Sequence, residues 1–200
     1  MTPDANAAPP DTEALSDQDL MLLVARGLVQ EPAAELFDRH NRALYNFLAW
    51  LCKGNLAEAE DLTQKTWLKL ISRCGDYRPG AATFRTYLFQ IARNAFLDAR
   101  RSAGERLRDD AAASDPDDRR EREDQDPGPE VLLLSGEAKT RLHTALMTLP
   151  ASQREVVVLR YFAELSLEEV AHTVGAGIET VRSRLRYAFR ALRRSLGTSA

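Results

Sequence analysis

The stretch from Ser166 to Leu196 admits little besides two helices joined by a sharp turn. Ser166 and Glu169 stand at capping-box spacing: the hydroxyl takes an orphan N–H of the first turn, and the carboxylate three residues on takes the N–H of the cap. Leu167, Val170, Ala171 and Val174 follow at helical spacing, Val174-Gly175-Ala176-Gly177 supplies a turn, and Ile178, Val181, Leu185, Ala188, Leu192 and Leu196 make a second apolar stripe. This is the helix-turn-helix layout. Just upstream, Ser152 and Glu155 repeat the capping-box spacing behind Pro150, which blocks continuation of any earlier helix. Val156-Val157-Val158-Leu159 is β-branched enough for a buried strand. The second box nevertheless starts a helix, no partner strand is available, and Arg160-Tyr161-Phe162 keeps the helical period.

The last helix is basic on the side away from its stripe. Arg182, Ser183, Arg186, Arg190 and Arg193 share that face, Arg184 and Arg194 flank it, and Thr180 and Glu179 stand at its start. Residues 178 to 196 hold six arginines against one glutamate. Such a face suits the major groove of DNA, where guanidinium groups reach guanine edges and phosphates. An ordinary bundle helix can carry the same solvated face, but a helix-turn-helix directly in front of it favours DNA.

The chain has 200 residues, enough for one ordinary domain or two small ones. Its net charge of −3 would argue against nucleic acid if it were evenly spread, and it is not. No apolar run reaches the length of a membrane span and the N-terminus lacks a signal pattern, so a cytoplasmic location is expected. Cys52 and Cys74 each end an apolar helical pattern and are expected to be buried structural thiols, with a redox pair as the alternative. His40, His143 and His172 lie on separate segments without ligand partners at metal spacing. With no phosphate-cradling loop and no nucleophile elbow, no metal, no cofactor and no enzymatic activity is expected.

Taken in order, residues 1 to about 12 are rich in Ala, Pro and Asp and read as disordered. Ser16 caps a first helix with Asp17 and Asp19 at its positive end, and Gly27 is its stop. A second helix opens with Pro32 in its first turn, carries a wide stripe from Leu36 to Cys52, and closes at Lys53-Gly54 with Gly54 as left-handed cap. Asn55 caps a third, with Leu56, Ala59, Leu62, Thr66, Leu70 and Ile71 on one face. Trp67 stands beside the polar side, as either an interface anchor or the edge of the core, and the spacing favours the core. A Gly- and Pro-containing loop over residues 73–82 leads to Thr83, cap of a fourth helix. Phe84, Leu88, Ile91 and Ala95 face in and Arg85, Arg93, Asn94, Arg100 and Arg101 face out. An aromatic and basic loop feeding a basic helix suits single-stranded DNA, since aromatics stack on unpaired bases and cations follow phosphates. From Gly104 to Glu130 eleven acids face five arginines, a net charge of −6, with three prolines and few apolar residues: a flexible acidic linker. A fifth helix is expected from about Val131 to Leu149.

The expected architecture is therefore all-α: two small helical domains, 15–103 and 131–197, joined by the linker at 104–130 and preceded by a disordered 1–14. In that order the two modules resemble the extracytoplasmic-function (group IV) sigma factors of bacterial RNA polymerase. Two blocks carry the resemblance. Ala59-Glu60-Asp61-Leu62-Thr63-Gln64 to Leu70 followed by Phe84 to Asn94 is similar to the family's region 2. Leu149-Pro150 to Tyr161, Leu165 to Ala171 and Thr180 to Leu185 are similar to its region 4. The resemblance implies that Glu60, Asp61, Gln64 and Trp67 dock on the β′ clamp coiled coil of core RNA polymerase, which would make Trp67 an interface residue after all. It implies that Tyr77, Phe84, Arg85, Asn94 and Arg101 open the −10 element and capture a flipped base, where a fitted pocket offsets the cost of unstacking. It implies that Thr180, Arg182, Ser183, Arg186 and Arg190 read the −35 element, that the fifth and sixth helices hold the β flap, and that an anti-sigma factor holds the free protein. The chain departs from the family pattern at Lys65, where an acid is usual, and at Tyr187 in the last helix. Without the resemblance, a dimeric helix-turn-helix regulator with a sensing N-terminal bundle is the other reading; it would prefer palindromic half-sites.

Overall fold

The computed structural model describes residues 12–80, 82–111 and 137–197. Their regular structure is helical: α1 (Asp17–Ala25), α2 (Gln30–Leu51), α3 (Leu56–Ser72), α4 (Phe84–Ala111), α5 (Glu137–Met147), α6 (Ala151–Tyr161), α7 (Leu167–Val174) and α8 (Ile178–Gly197). Short 3-10 turns precede α1 and follow α3. Most ends follow local chemistry. Ser16 Oγ accepts from the Asp19 N–H at 3.2 Å, Asn55 Oδ1 from the Glu58 N–H at 3.2 Å and Thr83 Oγ1 from the Thr86 N–H at 3.2 Å. Ser166 and Glu169 form the full box, at 3.1 and 2.8 Å.

Several ends differ from expectation. Ser152 and Glu155 make no capping box: Pro150 is the cap of α6, and its carbonyl accepts from Arg154 at 3.0 Å, so Ser152 already lies inside the helix. Glu155 is turned elsewhere, as described below. Lys53 itself takes a left-handed conformation (φ +54°) before Gly54 (φ +85°), so two residues rather than one close α2. α4 runs to Ala111, eight residues into the acidic segment; Glu105, Arg106, Leu107 and Arg108 are good helix formers there. The remainder of that segment, the residues before 12 and the expected start of α5 at 131–136 lie outside the described residues.

The N-terminal lobe is built around α2. Leu36, Leu44, Phe47 and Leu48 are fully buried between α1, α3 and α4, and Phe47 meets Phe89 of α4 edge-on at 5.3 Å. α1 is fastened to α2 by Asp17. His40 Nε2 donates to its Oδ2 at 2.7 Å and Arg39 Nη1 to its Oδ1 at 3.0 Å, while Arg39 also reaches Glu35 at 2.7 Å. The hydrogen bond from His40, working against partial burial, holds the Asp17 carboxyl below its ordinary value. In the C-terminal lobe α6 buries the whole run Val156 to Leu159, against Val170 and Val174 of α7 and Val181, Leu185, Ala188 and Leu192 of α8. The run that could have read as a strand is the inward face of a short helix.

The two lobes touch. α4 packs along α7, and the end of α2 packs on α6.

Because the Asp17 carboxyl titrates lower folded than unfolded, its contribution is present above the ordinary carboxylate range, near pH 4, and is lost as pH falls through and below it. Asp17→Asn should cost about 1–2 kcal/mol at pH 7 and flatten the acid limb of the stability curve; urea melts at pH 7 and pH 3 measure both.

Candidate nucleic-acid and partner surfaces

The turn between α7 and α8 needs a left-handed residue, and Gly175 supplies it at φ +64°. The turn sends α8 across α6 and α7 with its stripe inward, so the opposite side must face solvent. Thr180, Arg182, Arg186 and Arg190 are exposed there and Ser183 is half-buried at the margin. Arg182 pairs with Glu179 one turn back at 2.6 Å, and the Arg186 guanidinium lies over the Tyr187 ring at 5.5 Å. Tyr187 is half-exposed, and Phe189 meets Tyr161 of α6 edge-on at 5.4 Å. The face predicted to enter a groove is thus open, cationic and held on a packed scaffold.

On α3, Glu60, Asp61 and Gln64 are exposed, with Lys65 on Asp61 at 2.5 Å. The departure at Lys65 thus supplies an i,i+4 partner for Asp61. Trp67 is not beside them as an exposed anchor. It is 7% exposed, its ring meets Phe37 of α2 at 5.2 Å, and its Nε1–H donates to Asn41 Oδ1 at 3.0 Å. Its position on the α2–α3 seam is the core edge that the spacing favoured. The apolar residues left open nearby are Leu68, 67% exposed, and the rim of Phe37, which sequence reasoning did not select because Leu68 sits outside the stripe.

The fourth helix departs most from expectation. Asn94 and Arg101 are exposed, the latter 3.4 Å from Asp98. Tyr77 and Phe84 are buried instead: Tyr77 packs on Tyr87 at 5.3 Å, and Phe84 packs on His40 at 5.2 Å. Arg85 and Arg93 were expected outward, yet both are half-buried against the C-terminal lobe. The Arg85 guanidinium donates to the Ala163 carbonyl, and its buried Nε makes no hydrogen bond. Arg93 Nε donates to Glu155 Oε1 at 2.7 Å. Thr83 and Thr86 hydroxyls donate to Glu169 Oε1 at 2.5 and 3.2 Å. At the far end of the same contact Trp50 of α2 meets His143 of α5 at 5.0 Å and Phe162 at 5.3 Å. Helical periodicity defines which side of α4 is polar. It carries no signal that partners 62 to 86 residues away would cover it.

Among the described residues no group of three His, Cys, Asp or Glu is placed to hold a metal ion, and no helix is long and apolar enough to cross a membrane. Cys52 is buried and Cys74 half-buried, both free; burial, aided by Glu58, pushes the Cys52 thiol up to about 12.

Comparison with known families and structures matches residues 36–106 to Sigma-70 region 2 and residues 145–194 to Sigma-70, region 4. The chain is 38% identical over 151 residues to the ECF RNA polymerase sigma factor SigE of Mycolicibacterium smegmatis, covering 76% of this chain and 56% of that protein. It therefore spans little more than half the length of that relative. It is 33% identical over 161 residues to the ECF RNA polymerase sigma factor SigL of Mycobacterium tuberculosis, covering 80% of this chain and 86% of that one. The fold is shared with the sigma factor RpoE from Bartonella quintana, solved in complex with the anti-sigma factor NepR (TM-score 0.65, 24% identity, 92% of this chain and 98% of that one). It is also shared with CnrH, solved in complex with the cytosolic domain of CnrY (TM-score 0.66, 23% identity, 92% and 99%).

The seam position of Trp67 separates packing from partner binding. Trp67→Ala should destabilise the chain by about 3–5 kcal/mol, whereas Leu68→Ala should stay within about 0.5 kcal/mol; denaturant melts of the two variants check this.

Proposed function

The chain belongs to the ECF RNA polymerase sigma factors, and on that premise we propose that it binds core RNA polymerase and directs promoter-specific initiation. The observation that carries this reading is the open Arg182–Arg186–Arg190 face of a helix-turn-helix, on the same chain as a region 2 bundle. We assign 15–103 to core polymerase and the −10 element and 131–197 to the −35 element, with 104–130 as linker, the two-region layout of the group IV class. Thr180, Arg182, Ser183, Arg186 and Arg190 read the −35 duplex. Their side chains project from a helix whose inward stripe fixes its rotation, so each has a defined reach into the groove.

For core polymerase we assign Glu60, Asp61 and Gln64 to the β′ clamp coiled coil, with Trp67 in a supporting role: it sets the angle between α2 and α3 beneath them. α5 and α6 are assigned to the β flap. For the −10 element Asn94 and Arg101 are available at once, while Arg85 has to leave Ala163 first. Tyr77 and Phe84 act as the packed floor of the loop that presents a captured base. Nothing in this scheme uses a covalent step, and the protein acts by binding within the cytoplasm, where its polymerase works. RpoE was solved in complex with the anti-sigma factor NepR and CnrH with the cytosolic domain of CnrY, and by analogy an anti-sigma factor is proposed here. A dimeric regulator is disfavoured, because it gives the region 2 bundle no purpose.

Reconstitution with core polymerase on promoter fragments tests the proposal: a stable complex and permanganate-reactive thymines near −10 are expected, and a chain that fails to bind core polymerase refutes it. In that assay Arg186→Ala should reduce −35 discrimination by about 1–3 kcal/mol, the value of a bidentate base contact. An equal loss on unrelated duplex would assign Arg186 to phosphate instead.

A further inference from the structure

The cationic helix α8 carries a single acid. Glu179 stands in its first turn with its side chain 78% exposed, and its Oε1 accepts from Arg182 Nη1 at 2.6 Å. An exposed i,i+3 pair adds little to stability. The helix dipole favours an acid in this turn, but any carboxylate there satisfies it without holding an arginine. On a face that meets DNA the acid has a cost, because the duplex carries one negative charge per about 1.7 Å of axis. Glu179 therefore bears on what the face rejects as well as on what it takes. Arg186 is held differently, over the Tyr187 ring, a contact that leaves its charge unneutralised.

The pair sets two complementary groups side by side: the carboxylate only accepts and the guanidinium only donates. In the major groove a G·C pair shows the reverse. The cytosine N4 amino group donates, and guanine O6 and N7 beside it accept. An A·T pair gives the guanidinium fork one purine acceptor, N7, instead of two.

We propose that Glu179 is a specificity-determining residue: with Arg182 it reads one G·C pair of the −35 element, cytosine under the carboxylate and guanine under the guanidinium. The inference rests on the reading of α8 as the −35 helix and adds to it a residue that the basic face alone does not select. The N-terminal residues of a recognition helix are the ones that reach base edges, and Glu179 and Arg182 occupy its first two turns. Held by Glu179, the Arg182 fork enters the groove already oriented, so less freedom is lost on binding. With the base pair inverted, the carboxylate faces guanine O6 and the fork faces an amino group, so both contacts turn repulsive.

The full chain in complex with core RNA polymerase selects from a pool of duplexes randomised across the −35 region, and affinity for an unrelated duplex is measured across a salt series. Glu179 is exposed, so its variants keep the packed side of α8. In Glu179→Ala the preference at one G·C position should fall about ten-fold while the other positions hold. Binding to the unrelated duplex should tighten, with the slope of log affinity against log salt steeper by about one, because Arg182 is released to a phosphate. Glu179→Asp keeps the charge at the helix start and shortens the reach; it should lose the same preference with unrelated-duplex affinity close to wild type. Retention of the preference in either variant overturns the proposal. So does an equal loss at every position, which is what a disturbed helix produces. If the wild type enriches an upstream motif that neither variant changes, the paired reading is refuted and the −35 assignment stands; if the wild type enriches no upstream motif, both fall.

Discussion

The Glu169 carboxylate ties local structure to global arrangement. One oxygen accepts the Ser166 N–H and starts α7; the other accepts two hydroxyls from the first turn of α4. Burial alone would push this carboxyl up, but the hydrogen bonds from Thr83, Ser166 and Thr86 outweigh it and hold the group below its ordinary value. A residue needed to begin one helix of the helix-turn-helix is thereby also a fastening for the other lobe. Neither use competes with the other, because they draw on different oxygens.

Where the determinants of structure are local, the sequence is readable to the residue. The Ser166 box, the Gly175 turn, the Asn55 and Thr83 caps and the inward stripe of α8 all stand as their spacing requires. Ser152 and Glu155 have the same spacing as Ser166 and Glu169 and do something else, for two reasons. Pro150 already occupies the cap, and Glu155 finds a guanidinium 62 residues away that a local rule cannot see. The candidate surfaces divide on the same line. The α8 face is legible because its helix has one packed side and one open side. The α4 face is not, because its polar side is shared with another lobe. Trp67 shows a third case: the family resemblance drew it outward, while its own spacing, Phe37 and Asn41 hold it in the seam.

Two buried groups at helix ends meet burial in different ways. Arg154 is 4% exposed, its guanidinium pushed down from its ordinary value by burial, with one contact at 3.4 Å to the Met147 carbonyl. It sits where α5 hands over to α6, so its charge is held against the carbonyl end of the preceding helix, the favourable end for a cation. Cys52 is the reverse case. Its thiol is kept neutral by burial at the end of α2, and a group so rarely ionised is a packing element rather than a nucleophile.

The end of α4 at Ala111 and the start of α5 at Glu137 have a consequence for how the lobes meet. Twenty-five residues of chain separate them, so each lobe experiences the other at an effective concentration on the order of millimolar, whatever the amount of protein in solution. A contact that would be negligible between separate molecules can therefore be well populated within one. Dilution cannot undo it, whereas a rival for the same surfaces can.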